Sequence, residues 1–168
     1  HEVYSCDLLP ADDGETKYHY QGDIRDILYD DWDLMIAFPP CTHLAVSGAR
    51  WFKDKVQEQQ EALDFVQMLM DADIPKIAIE NPISVISSRI RKPDQIIQPW
   101  WFGDPVQKST CLWLKGLPPL TKTNDVYKEM MELPRKEREK IWYAWPGHDR
   151  WKIRSTTFPG FARAMAGQ

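Results

Sequence analysis

The sequence holds 168 residues, 43% of them hydrophobic, which suffices for one domain with a core and falls short of two. Twenty-five acidic against 21 basic side chains give a net charge of -4, which excludes a surface basic throughout and leaves room for a local basic patch on a nucleic-acid binder. No apolar run approaches the roughly 20 residues of a membrane helix, so no membrane partner is expected. Cys6, Cys41 and Cys111, odd in number and far apart, predict a reducing, cytoplasmic setting rather than a disulfide framework.

In chain order, Val3 to Cys6 has strand composition and ends at Asp7, an acid placed to accept two ribose hydroxyls or to sit solvated in a loop. Tyr18 to Gln21 predicts a short strand closing on Gly22-Asp23, with Asp23 or Asp26 capping the turn that follows. The apolar run Leu34 to Phe38 is short enough for a buried strand, and Pro39-Pro40, which lack backbone N–H groups, stop it just before Cys41. Chemistry in an open α/β sheet gathers past the carboxyl ends of strands, so Cys41 is placed like a nucleophile; a small buried hydrophobe is the bland alternative. Thr42 to Trp51, with Gly48, reads as a loop able to close over a site.

Val56, Leu63, Val66, Leu69 and Met70 recur at helical spacing within Lys53 to Ala72, predicting an amphipathic helix. Lys76 to Ile79 is the next strand, stopping at Glu80-Asn81-Pro82. Strand, helix, strand predicts parallel neighbours and brings Cys41 and Glu80 to one edge. A carboxylate directly after an apolar strand is partly desolvated and can hold a proton near neutrality; capping the turn at 84–88 is the alternative. Arg89, Arg91 and Lys92 cluster as a solvated face or a phosphate contact. Gln95 to Gln98 predicts a strand, and Trp100, Trp101 and Phe102 a core, a lid or a stacking platform. Ser109 to Leu114 is a further strand with Cys111 structural within it. Asp125 to Leu133 and Pro134 to Trp142 predict two short helices, Tyr143 to Trp151 a loop, and Phe158 to Gln168 a helix with Phe161, Ala162 and Met165 on one face. Cys6, Cys41, His43 and Cys111 lack the spacing of a zinc site, so no metal is expected. The expected architecture is one α/β domain, with a core over 1–115 and a short helical part over 116–168.

The order Pro39-Pro40-Cys41, Gly48, Glu80-Asn81 resembles the nucleophile loop and the Glu-Asn motif of the DNA cytosine-5 methyltransferases, in particular a compact, phage-type relative. The likeness covers most of the first two thirds of the chain. It implies a Rossmann-like sheet with helices on both faces, S-adenosylmethionine as cofactor, and cytosine in DNA or a smaller pyrimidine as substrate. Residue by residue it implies Cys41 as nucleophile, Glu80 and Asn81 as its catalytic partners, and Asp7, Asp23, Ile24 and Pro39 against the cofactor. Trp51, Arg89, Gln107 and Lys108 are the candidate substrate contacts, with Gln107-Lys108-Ser109 similar to the family's glutamine and arginine motif. Its first strand and glycine-rich loop would precede His1, no glycine standing before Gly14, so a sheet missing its first strand is expected. Such an edge would favour a homo-oligomer. An inactive methyltransferase scaffold that binds a nucleotide, a nucleic acid or a protein is the alternative.

Overall fold

A computed structural model describes residues 1–12, 14, 16–144, 147 and 150–167, with the backbone alone at Trp51 and at 150–152. Asp13 and Glu15, four residues of the expected 143–151 loop, and Gln168 lie outside the described residues, as does the side chain of Trp51. The chain is α/β with mixed sheets. β1 (Ser5–Asp7) and β2 (His19–Gln21) form a parallel pair. A 3-10 turn over Ile24–Asp26 follows, capped by Asp23, whose side chain accepts from the Arg25 N–H. β3 (Leu34–Ala37) leads through a 3-10 run, Val46–Asp54, to α1 (Val56–Met70) and then to β4 (Lys76–Pro82). Beyond α2 (Ile86–Arg89) come β5 (Gln95–Ile97) and β6 (Thr110–Lys115). The four-stranded sheet has the order β3-β4-β6-β5, with β3 parallel to β4 and β6 antiparallel to both of its neighbours. The expected parallel β3–β4 pair is present, and the strands divide between two sheets.

Alternation along β4 and β6 gives the larger sheet two apolar faces. Ile77, Ile79, Cys111 and Trp113 pack with Leu63, Val66 and Leu69 of α1 on one side. Ile97, Leu112, Phe102 and Phe161 pack on the other, beneath α6 (Pro159–Gly167), which follows α3 (Tyr127–Glu132), α4 (Arg135–Arg138) and α5 (Arg150–Ser155). Trp113 is fully buried, and its ring N–H donates to the Arg91 carbonyl at 2.9 Å, so its polar atom is satisfied inside the core.

Several expectations are corrected. Val56 starts α1 and stays exposed, because the buried stripe is Leu63, Val66, Leu69, three residues apart. The 42–51 loop is largely 3-10 helix. Glu80 and Asn81 lie inside β4, because β6 goes on pairing with them, Leu112 opposite Glu80 and Cys111 opposite Asn81, after β3 has ended. The helix expected over Pro134 to Trp142 shrinks to Arg135–Arg138. In α6 the buried positions are Gly160, Phe161 and Ala164, and Ala162 faces outward.

At the end of β6, Gly116 turns the chain with φ +63°, and a Cβ there would run into the Pro75 carbonyl oxygen. Gly116→Ala is expected to cost roughly 1–3 kcal/mol through backbone strain and displacement of the β4 approach. Urea unfolding checks this by a lowered midpoint at unchanged slope.

Candidate active site

The turn after β3 is built by its own sequence. Pro39 and Pro40 offer no N–H, so the ladder ends there, and the freed Pro39 carbonyl accepts from the buried Asn81 Nδ2 at 2.9 Å. Cys41 then opens a tight turn, its carbonyl accepting from the N–H groups of Leu44 (3.0 Å) and Ala45 (2.9 Å). The turn is stitched to the segment after β4: Val46 N–H donates to the Ile83 carbonyl at 3.1 Å and Val85 N–H to that of Leu44 at 3.0 Å. Two segments some forty residues apart in sequence are thus held as one unit.

Electrostatics links the two acids of that unit. Burial pushes the Glu80 carboxyl above its ordinary range, opposed by the Lys108 ammonium and a hydrogen bond with the Thr110 side chain. The Cys41 thiol is partly buried and is likewise pushed up, first by desolvation and then by the negative charge of Glu80. Its backbone hydrogen bond, Arg154 and Lys108 pull it down. Lys108 is fixed from two sides: its N–H donates to Gln98 Oε1 at 3.0 Å and its Nζ to the Arg154 carbonyl at 3.0 Å. Arg154 in turn reaches Ser47 Oγ at 3.5 Å. Two cations therefore flank a cysteine and a glutamate that resist being charged together.

Two cavities flank the unit. A small one, about 10 Å³, is lined by Glu80, Lys108 and Thr110 with Phe158 and Phe161 of the C-terminal part. A large one, about 700 Å³, lies on the β1 side and takes in Pro39, Pro40 and His43. Cys41 lines neither.

The four residues expected against a cofactor, Asp7, Asp23, Ile24 and Pro39, all lie on the wall of the large cavity. Asp7 Oδ1 accepts from the Leu9 N–H at 2.9 Å, and Asp23 forms an exposed ion pair with Arg25 at 2.8 Å that holds its carboxyl below the usual range. Asn81 holds the nucleophile turn and reaches neither cavity. Among the substrate candidates only Lys108 stands with Glu80. Arg89 is exposed and lines neither cavity, and Gln107 is exposed, pinned by its N–H to the Arg138 carbonyl at 2.7 Å. Sequence reasoning missed Thr110 and Arg154. The first had a signal, a hydroxyl opening the strand opposite Glu80; the second had none, being brought in by tertiary packing alone. No group of three metal-ligating side chains occurs among the described residues.

No family model, no curated protein and no solved structure matches this chain. The site's chemistry is therefore read from its own geometry.

The coupling has a measurable sign. Glu80 raises the Cys41 thiol, so Glu80→Gln is expected to lower that pKa and speed iodoacetamide alkylation of Cys41 about threefold at pH 8, the effect of roughly half a pKa unit. Mass spectrometry of the Cys41 peptide separates it from Cys6, while Cys111, fully buried and pushed up to about 11, stays unmodified. An unchanged or slower rate would mean that the two groups do not interact.

Proposed function

We propose that this chain carries the chemistry of cytosine-5 methyl transfer, on a Rossmann-like methyltransferase sheet, with Cys41 as nucleophile and Glu80 as acid. The observation that carries this reading is the Asn81-clamped Cys41 turn beside a buried, proton-holding Glu80. A cysteine adds to C6 of a pyrimidine only if the ring can take the electron pair, and a carboxyl that keeps its proton near neutrality supplies that sink at N3.

In the balanced sequence, the Cys41 thiolate forms a bond to C6 as Glu80 gives its proton to N3, which moves electron density to C5. S-adenosylmethionine, bound against Asp7, Asp23, Ile24 and Pro39, supplies the methyl group that C5 takes. Loss of the C5 proton to a base then returns the electron pair, breaks the bond from sulfur to C6, and lets Glu80 recover its proton from N3. Once Glu80 is neutral its charge no longer opposes the thiolate, so protonation of Glu80 and ionisation of Cys41 favour each other. Lys108 and Arg154 hold the single negative charge that the pair carries.

The cofactor assignment fits the wall it needs: about 700 Å³ lies within the range of small-molecule sites, and Asp7 presents a carboxylate at its polar end. DNA is the proposed partner, with the target base turned out of the stack toward Cys41 and Glu80, since neither could reach a paired base. A free pyrimidine nucleotide meets the same residues.

Titration calorimetry with S-adenosylmethionine and a methyl-transfer assay on cytosine-containing DNA test the reading together. Cys41→Ala is expected to lose transfer by more than about 10³-fold with cofactor binding unchanged, as removal of an attacking group does. Asp7→Ala is expected to weaken binding. Transfer that survives Cys41→Ala would overturn the covalent route, and cofactor bound without transfer would leave a binding scaffold.

A further inference from the structure

Between the two sheets runs a groove with strand edges on both walls. β1 pairs only with β2 and β3 only with β4, and residues of both β1 and β3 line the same large cavity. Its middle is apolar, built from Trp32, Met35, Ala62, Phe65, Leu69 and Ile74. β3 is also an unprotected edge. Its four residues, Leu34-Met35-Ile36-Ala37, carry no charge, no proline and no bulge, and Leu34 and Ile36 are 45% and 40% exposed. Edge strands are ordinarily blunted by one of those devices, because unpaired N–H and C=O groups beside apolar side chains invite another strand.

Charge sets the character of what would fit. Residues 1 to 33 hold ten acidic side chains against two basic ones, although the whole chain is only mildly acidic. Asp33 stands directly before β3, and Asp7 and Asp23 line the groove, where Arg25 is already paired with Asp23. The Cys6 thiol on the same wall registers that field, pushed up by burial and then by Asp7, Asp23 and Asp26.

We propose that this groove is an acceptor site for an extended peptide strand, apolar in its middle and flanked by lysine or arginine, which adds to the free edge of β3 beside β1. Main-chain hydrogen bonds to β3 supply the fit, apolar side chains cover the groove floor, and the basic flanks meet the acidic rim. The inference does not depend on the methyltransferase reading: the polar end of the cavity at Asp7, Asp23 and Pro39 suits a small molecule, and the strand would take the apolar remainder.

The test uses three nine-residue synthetic peptides of alternating valine and isoleucine, one flanked by lysine pairs, one flanked by glutamate pairs, and one lysine-flanked with alternate backbone amides N-methylated. Fluorescence anisotropy is expected to give the first a Kd at least tenfold tighter than either of the others. Hydrogen exchange is expected to slow at residues 34–37 and not at 95–97, the opposite edge of the sheet. Ile36→Lys should weaken binding tenfold or more in a chain still folded by circular dichroism, and Ile96→Lys, an exposed apolar position on β5, should leave it unchanged. Equal binding of the N-methylated peptide, or protection at β5, would overturn strand addition. So would a dimer in light scattering that Ile36→Lys dissociates, because the groove would then belong to a second copy of the chain.

Discussion

One buried hydrogen bond, from Asn81 Nδ2 to the Pro39 carbonyl, decides whether this protein has a site at all. Two successive prolines end β3 and leave carbonyls with no ladder partner, and a buried carbonyl left without a donor costs about 1–3 kcal/mol. Asn81, fully buried on the adjacent strand, supplies the donor, and in doing so fixes the turn that carries Cys41 two residues later. The arrangement has its own cost: Asn81 Oδ1 finds no partner among the described residues. A side chain that satisfies one group while leaving its own acceptor bare holds position more than it stabilises, which is how buried polar groups at sites commonly behave.

The same clamp sets the electrostatics. Because Cys41 and Glu80 sit at the ends of neighbouring parallel strands, neither can ionise without raising the cost for the other, and burial raises it for both. Lys108 lowers both, so it stabilises one negative charge on the pair without choosing which residue carries it. A pair that shares one charge passes a proton with little change in its surroundings, and that property suits Glu80 to move a proton while Cys41 attacks.

Most of this half of the molecule was legible in the sequence, and for definable reasons. Strand ends show where apolar runs meet proline, so β3, β4 and the Cys41–Glu80 convergence follow from the order strand, helix, strand. The buried stripe of α1 follows from its period, with Val56 failing only because it precedes the first turn that meets the sheet. What could not be read was pairing at a distance. Glu80 looked like a residue past the end of a strand, and β6, thirty residues on, keeps it within one. Arg154 reaches Ser47 across more than a hundred residues, and no local pattern carries that contact. The division into two sheets was likewise invisible, since each strand in isolation reads alike whichever neighbour it finds.

That division also distributes stability unevenly across the site. The catalytic side rests on β4 and β6, whose facing residues are buried on both faces of the sheet. The ligand wall with Asp7 and Asp23 rests on two three-residue strands joined to the core through Ile24, Leu28 and Trp32. Two strands alone are marginal in water, so local opening of this wall should cost far less than global unfolding. Anything that binds only the closed wall then shifts that local equilibrium by mass action, in proportion to the logarithm of its concentration over its Kd. A small molecule at the polar end and a strand in the apolar groove would each order the same element, so either one bound leaves less ordering for the other to complete. Coupling of that kind needs no change in the Cys41–Glu80 pair, which the Asn81 clamp holds in place whether the wall is open or closed.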